Sequence, residues 1–153
     1  MPAGWKRGVL AVVAAAAALY GFAALDVTLR ARSAYLEGEK YMRWQDHPEE
    51  KLAFFESAFQ ARKKELQAKL GKKALSQDEF NERLELAGFE RDEAVKDSSA
   101  KYAYVWYRTA VELFTPPESR WVGLSRARME DAKRLWRSEL KARGVALPES
   151  VFQ

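Results

Sequence analysis

The sequence predicts an all-α protein, in which one N-terminal transmembrane helix is followed by a small antiparallel bundle of about three helices. An uncharged apolar run at residues 8–25 is long enough to cross a bilayer. Helix-capping patterns recur at intervals along the rest of the chain. The chain has only 8 glycines and 5 prolines, which is few for a fold made of short strands and turns.

Composition excludes several functional classes. Apolar residues make up 48% and charged residues 31%, which argues against a disordered polar chain. The absence of cysteine excludes disulfides, thiolate metal sites and cysteine nucleophiles. The single histidine, His47, adjoins Asp46 and Pro48 and is expected to be a surface or capping residue. No G-x-S-x-G pattern or complete phosphate-binding loop occurs. We therefore expect no enzymatic activity, cofactor, metal or small-molecule substrate.

The apolar run, GVLAVVAAAAALYGFAAL, contains 18 residues and has three competing interpretations. It is an uncleaved signal anchor, a signal peptide cut before Ala24, or a buried alanine-rich helix of a soluble protein. The anchor is favoured because helix-compatible sequence continues past the possible cut site. Residues 26–45 contain no proline and only one glycine, Gly38.

Charges beside the run bear on its orientation. Lys6 and Arg7 favour a cytoplasmic N-terminus, whereas Arg30 and Arg32 on the far side oppose it. A long C-terminal domain can cross regardless of its charge, so we expect a single-pass protein with its helical domain on the outer (periplasmic) face. The predicted divisions are residues 1–32 (anchor or signal peptide with a short basic tail), 33–144 (helical domain) and 145–153 (irregular tail).

Four helical segments are predicted, at about residues 8–45, 48–70, 77–114 and 116–143, with a possible break in the third at 97–99. The start signals are Asp46-His47-Pro48-Glu49, Ser76-Gln77-Asp78-Glu79 and Thr115-Pro116-Pro117-Glu118. Gly71 and Gly144 follow basic last turns and predict helix ends.

An aromatic block at residues 102–107, YAYVWY, has two interpretations. Aromatic side chains bury large areas, so core packing is one. The other is a protein-contact surface, because tyrosine and tryptophan are enriched where proteins bind each other. The residues predicted to form such a surface are Tyr104, Trp106, Tyr107, Trp121, Arg128, Trp136, Arg137 and Lys141.

The last predicted helix is basic, and its charges fall mostly opposite the Trp121/Trp136 stripe. A solvated face is one interpretation, and an acidic partner subunit or anionic lipid headgroups are the alternatives. Interspersed acids argue against nucleic acid. Arg128 differs because helical geometry places it inside the apolar arc, between Leu124 and Ala132. It is expected either to extend along the surface or to pair with an acid of another helix or subunit.

Residues 110–114, AVELF, with prolines just beyond, fit an A-x3-F pattern. This stretch resembles the second helix of a tetratricopeptide repeat. The resemblance covers about a dozen residues of one repeat, without the repeat's glycine and without a second copy at the repeat period. It implies a helical hairpin, and not membership of that family.

Two functional hypotheses follow. The first is a single-pass, membrane-anchored accessory or scaffold subunit of a larger membrane complex, which acts by contact with other subunits. The second is an exported soluble helical module, with a hairpin like that of a tetratricopeptide repeat, that binds a peptide or protein after cleavage near Ala24.

Overall fold

A computed structural model describes residues 3–145, 148 and 151 of the chain. It is 87% helical, and no strand occurs among the described residues, which confirms the all-α prediction. Five helices follow one another: α1 (Ala3–Asp46), α2 (Pro48–Gly71), α3 (Gln77–Lys96), α4 (Ser99–Leu113) and α5 (Arg120–Ala142). The finer prediction of one small antiparallel bundle of about three helices is not confirmed.

Helix α1 is one continuous helix of 44 residues that changes character along its length. From Gly8 onwards it contains an 18-residue stretch of mean hydropathy 2.2, none of which is buried. Within the described chain this is the one helix long and apolar enough to cross a membrane. Further along, Ala31 and Ala34 are buried, so the second half of α1 packs against other helices.

The chain divides into two compact units, and the predicted domain boundaries stay predictions. Unit 1 combines the chain up to Tyr41 with the chain from Ala100 onwards, whereas unit 2 is Met42–Ser99. Unit 1 therefore contains most of α1 together with α4 and α5. Unit 2 contains the last turn of α1 together with α2 and α3.

Side-chain pairs give the helix directions in unit 1. Tyr41 on α1 stacks on Tyr102 near the start of α4, with 5.1 Å between ring centroids. Earlier on α1, Gly38 lies against Tyr107, later on α4, so these two helices run in opposite directions. Helix α5 runs in the same direction as α1, because Tyr35 contacts Trp121 while Glu39 contacts Arg128.

Unit 2 is built on the hairpin of α2 and α3. Leu66, Leu75 and Phe80 form its buried cluster, around the turn between the helices. Towards the open end, the guanidinium of Arg91 lies 4.7 Å from the centre of the Phe59 ring. At the far end, Lys51 Nζ donates a hydrogen bond of 2.5 Å to the carbonyl oxygen of Asp97. The antiparallel pairing thus extends along both helices.

Several predicted helix ends are confirmed. Ser76 accepts a hydrogen bond from the Glu79 backbone N–H, and the Glu79 carboxylate accepts one from the Ser76 N–H, which completes the predicted capping box. Gly144 ends α5 with a φ of +70°, in the left-handed region that favours glycine. The alternative of a break in the third predicted segment is also right, because α3 ends at Lys96 and α4 begins at Ser99.

The predicted bounds of α2, about 48–70, agree with the structure, but the residues predicted to cap it need correction. Asp46, predicted to cap α2, is the last residue of α1, and His47 occupies the capping position without a side-chain hydrogen bond. Gly71, predicted to follow the helix, is its last residue. The left-handed conformation falls instead on Lys73, with φ 56°. His47 is the single residue between α1 and α2, and its side chain makes no capping hydrogen bond, so α2 begins without a side-chain cap.

The predicted start of the last helix was also wrong. The segment Thr115-Pro116-Pro117-Glu118 precedes α5, which begins at Arg120. The side chain of Ser119 caps the helix by accepting a hydrogen bond of 3.5 Å from the Val122 backbone N–H. Thr115 and Ser119 are both good capping residues; the prediction took Thr115 as the cap, whereas the structure uses Ser119. The end of the chain predicted to be irregular lies largely outside the described residues.

Candidate functional site

A polar cluster joins the three helices of unit 1 around one carboxylate. Glu39 on α1 accepts a hydrogen bond of 2.5 Å from the Tyr107 hydroxyl on α4. The same carboxylate accepts a hydrogen bond of 2.9 Å from Arg128 Nε and another of 3.4 Å from Arg128 Nη2. Arg128 lies on α5, so Glu39 ties together helices that are far apart in sequence. Of the two alternatives for Arg128, the ion pair with an acid of another helix is confirmed.

Electrostatics keeps this cluster charged. Burial alone raises the pKa of Glu39, but the hydrogen bonds donated by Arg128 and Tyr107 outweigh it and hold that pKa below its usual range. The hydrogen bond to Glu39 raises the pKa of Arg128 further above neutrality. Burial, followed by the nearby carboxylate, raises the pKa of Tyr107. At neutral pH the cluster is an ionised pair with a neutral tyrosine, which suits positioning rather than proton exchange.

Gly38 allows Tyr107 to reach this position. A Cβ atom at Gly38 would lie 2.7 Å from Tyr107 Cδ1 and 2.8 Å from Tyr107 Cζ, well inside van der Waals contact. The Tyr107 side chain is fully buried, so its ring has no open space into which to move. Together with Ala31 and Ala34, Gly38 forms a face of small side chains on α1, and we call these three residues the small-residue face.

The eight predicted contact residues fall into three groups by exposure. Tyr104, Tyr107 and Trp136 are buried in unit 1, where Tyr104 and Trp136 pack with 5.7 Å between ring centroids. Trp106, Trp121 and Arg128 are partly buried, and Arg137 and Lys141 are exposed. For the three buried aromatic residues the structure shows core packing. Whether any of the eight binds a partner stays a prediction.

Much of the charge on α5 is balanced within the chain. Arg126 pairs with Glu118, and Arg134 pairs with Asp131 at 2.8 Å. Exposed ion pairs of this kind contribute about 0–1 kcal/mol each to the free energy of unfolding. They are therefore typical of a solvated helix face and add little stability. Lys141, near the end of α5, is exposed as well.

Unit 2 contains a separate open groove between α2 and α3, of about 450 Å³. Phe55, Phe59, Ala87 and Ala94 contribute its apolar walls, and Arg91 lies along it. The Arg91 side chain is held there by Glu56, at 3.0 Å, and by the Phe59 ring. In the described part of the chain, no group of three or more acidic or histidine side chains is arranged to hold a metal ion.

Sequence reasoning missed Gly38 and Glu39, which organise the cluster. Both belong to the segment read as the exit of a helix from the membrane. One available signal was the spacing of Ala31, Ala34 and Gly38, which places three small residues on one side of a helix. Another signal was the spacing of Tyr35 and Glu39, which are four residues apart and therefore neighbours on the surface of one helix. Neither signal identifies the partner helix.

The ionised state of Glu39 predicts a pH-dependent effect of Glu39→Gln. The folded pKa of Glu39 is lowered, so its contribution to stability is complete above the unfolded pKa, near 4.3, and is lost as pH falls through the folded value. At neutral pH we expect the variant to lose about 1–3 kcal/mol, because Arg128 and Tyr107 lose a charged acceptor. The difference from the unmodified protein should shrink as pH falls below the unfolded pKa and through the lowered folded pKa of Glu39.

Thermal melts of the full chain in detergent micelles, followed by circular dichroism, measure this difference. Glu130→Gln is the matched control, since Glu130 is exposed on α5, and it should change little at any pH. A deficit for Glu39→Gln that stays constant down to low pH would show that the charge on Glu39 is not what stabilises unit 1.

No protein-family model, no curated protein and no solved structure matches this chain.

Proposed function

We propose that this protein is a single-pass, membrane-anchored accessory or scaffold subunit of a larger membrane complex, and that it acts by contact with other subunits. The apolar stretch of α1, none of which is buried, is the observation that carries the proposal. Leu10, Val12 and Leu19 are each about 70% exposed, so no other part of the described chain covers them. An exposed apolar surface of this length is stable in a bilayer and not in water.

The continuity of α1 supports a mechanical role for the anchor. The same helix that carries the apolar stretch also carries Ala31, Ala34 and Glu39, which pack in unit 1. Unit 1 is therefore held to the membrane without an intervening flexible linker. A scaffold that presents binding surfaces at a fixed height above a bilayer requires this arrangement.

The proposed orientation has a cytoplasmic N-terminus and the helical units on the outer face. Lys6 and Arg7 support it, and Arg30 and Arg32 carry less weight because long C-terminal segments cross regardless of charge. Since the chain has no cysteine, a single Ser138→Cys variant tests the orientation. We expect a membrane-impermeant maleimide to label it from the outer face, and labelling only after lysis of the membrane would reverse the orientation.

The proposed partners are other subunits of a membrane complex. Among the predicted contact residues, Trp106 and Trp121 remain partly accessible, and Arg137 and Lys141 are exposed. Tryptophan and arginine are enriched among residues that dominate binding energy, and charged residues at a rim govern association rate and salt dependence.

Detergent solubilisation and gentle affinity purification of the full chain test this function. We expect companion proteins to co-purify in a fixed ratio, and Arg137→Glu with Lys141→Glu to weaken their retention, more so at low salt. Lys63→Glu with Lys64→Glu, on α2, is the matched charge control. A monodisperse monomer without companions would contradict the proposal.

The second candidate function is an exported helical module, cut near Ala24, that binds a peptide or protein. One observation favours it: residues 8–23 are all exposed, so their removal would leave every buried residue of unit 1 in place. The intact mass of the protein from its native source separates the two functions. Loss of the first 23 residues, counted on the sequence, would support the exported module.

A further inference from the structure

We propose that the membrane-proximal end of unit 1 is a second membrane contact, in which the α4–α5 turn binds the anionic headgroups of the bilayer that α1 crosses. This inference rests on the proposed anchor. It adds a surface of unit 1 whose contact with the headgroups fixes the distance of unit 1 from the bilayer. We call this surface the headgroup collar; it consists of Leu29, Arg32, Leu113, Phe114, Arg120 and Trp121.

Helical geometry gives the depth of the collar. If the 18-residue run is centred in a hydrocarbon core about 30 Å thick, that core ends near Asp26. The headgroup layer adds about 5–7 Å on each side, which corresponds to three to five residues of helix. Leu29, about 19 Å from the bilayer midplane, therefore lies at headgroup depth. The backbone of Arg32, about 23 Å from the midplane, lies at the outer edge of the headgroup layer, which its long side chain can reach.

The α4–α5 turn lies beside the part of α1 that contains Leu29 and Arg32. Trp106 and Phe114, from the second half of α4 and the residue after it, line one groove of about 280 Å³ with Leu29 and Ala34. At the start of α5, Trp121 lies under Arg32 of α1, with 5.7 Å from the guanidinium carbon to the ring centre. The turn that joins α4 to α5 thus faces the side of unit 1 from which the apolar stretch extends.

Apolar side chains of the collar point away from the core. Leu113 is 69% exposed and Leu29 is 51% exposed, although both lie beside a partly buried Phe114. Tryptophan is enriched at the membrane–water interface, because its ring is apolar and its N–H is polar. Trp121 occupies such a position in the collar, where its ring packs against Tyr35 at 5.6 Å.

The charges of the collar identify its ligand. The guanidiniums of Arg120 and Arg32 lie 4.4 and 5.7 Å from the centre of the same Trp121 ring, so their carbon atoms are at most about 10 Å apart. In the part of the chain that the structure describes, neither forms an ion pair with a carboxylate. By contrast, Arg30 pairs with Asp26 at 2.7 Å. Two guanidiniums without a carboxylate partner, held on one ring at the edge of the headgroup layer, favour the phosphate oxygens of anionic lipids.

Single-cysteine variants of the full chain test the collar, since the natural chain has no cysteine to remove. A label at Val13→Cys reports whether the anchor is in the bilayer, and a label at Leu113→Cys reports whether the collar contacts it. A label at Ser138→Cys is the reference for a position in bulk solvent. Ser138 lies ten residues beyond Arg128 on α5, about 15 Å farther from the membrane. Each variant is labelled with an environment-sensitive fluorophore and reconstituted into vesicles, either of phosphatidylcholine alone or with one third phosphatidylglycerol. Quenching by an aqueous ion measures the exposure of each label.

We expect the label at residue 13 to be protected in both lipids, the label at 138 to be exposed in both, and the label at 113 to be protected most strongly with phosphatidylglycerol. Arg32→Gln with Arg120→Gln should lower the ratio of docked to undocked turn about fivefold per arginine. Lys133→Gln with Arg134→Gln, farther along α5, is the matched control and should leave quenching at 113 unchanged. Circular dichroism of each variant confirms that it is folded.

Each contrary outcome has a distinct meaning. If residue 113 is as exposed as residue 138 while residue 13 is protected, the collar is wrong and the anchor stands. If residue 13 is itself exposed, the anchor fails and the collar with it. If residue 113 is exposed in lipid vesicles but protected in native membranes, the surface binds a protein partner and the lipid proposal is overturned.

Discussion

Replacing Ala15 and Ala17 together with arginine is expected to move the protein from the membrane to the soluble fraction. Both positions lie at the centre of the apolar run, where each arginine costs about 2.5–3.5 kcal/mol of insertion free energy. The run is rich in alanine, which contributes little favourable transfer free energy to offset that cost. Two residues apart on a helix lie on nearly opposite sides, so no rotation of α1 hides both charges against one partner.

Carbonate extraction of isolated membranes, followed by immunoblotting of pellet and supernatant, measures the result. Ala15→Leu with Ala17→Leu is the matched control, because it changes the same positions without adding charge, and it should remain in the pellet. Retention of the double arginine variant in the carbonate-resistant pellet would mean that the run still spans the bilayer despite the charges, or that another segment of the chain is embedded in it.

Gly38→Ala is expected to destabilise unit 1, although alanine normally stabilises a helix. The added methyl group would collide with the fully buried ring of Tyr107, and such overpacking costs about 1–3 kcal/mol. Displacement of the ring would also lengthen the hydrogen bond from its hydroxyl to Glu39, so the strain reaches the polar cluster. Thermal melts of the full chain in detergent micelles measure the loss.

Gly123→Ala on α5 is the matched control for this substitution. Gly123 is exposed and a Cβ atom there meets nothing within 4 Å, so the change should stabilise the protein by about 0.5–1 kcal/mol. Adding Tyr107→Leu to both the natural protein and Gly38→Ala completes a double-mutant cycle. With the ring absent, the added methyl group should no longer be costly. Equal stabilisation by Gly38→Ala and Gly123→Ala would show that the Tyr107 ring has room to move.

The sequence was most informative where one residue conflicts with its surroundings. Arg128 interrupts the apolar arc of α5, and the cost of burying an unpaired charge required a partner. That reasoning left two alternatives, extension along the surface or an ion pair with an acid of another helix or subunit, and the structure shows the ion pair, with Glu39 as the partner. It did not predict which acid, because the two residues are 89 apart in sequence and no local pattern connects them.

Local capping chemistry was predicted well where only one arrangement was available. Ser76 and Glu79 satisfy each other's backbone groups, so the start of α3 followed from four residues. The start of α5 did not, because Thr115 has the capping chemistry that predicted it, yet Ser119 four residues later is the cap in the structure.

The fit of Gly38 against Tyr107 shows why the centre of the candidate site could not be predicted. In the sequence Gly38 is a glycine inside a helix, which by itself predicts only a local loss of stability. Its role depends on a ring contributed from 69 residues later in the chain. The division into two units was equally hidden, because it depends on which helices return to α1 and not on any property of a single helix.

The discontinuity of unit 1 has a consequence for biosynthesis. Unit 2 occupies one stretch, Met42–Ser99, between the two parts of unit 1, so it is complete on the ribosome before α4 and α5 have been translated. At about 5–20 residues per second, these roughly 60 residues take several seconds to make. During that interval the small-residue face of α1 has no partner within its own unit. Translational pauses within Met42–Ser99 would lengthen this exposure, whereas pauses after α5 would not.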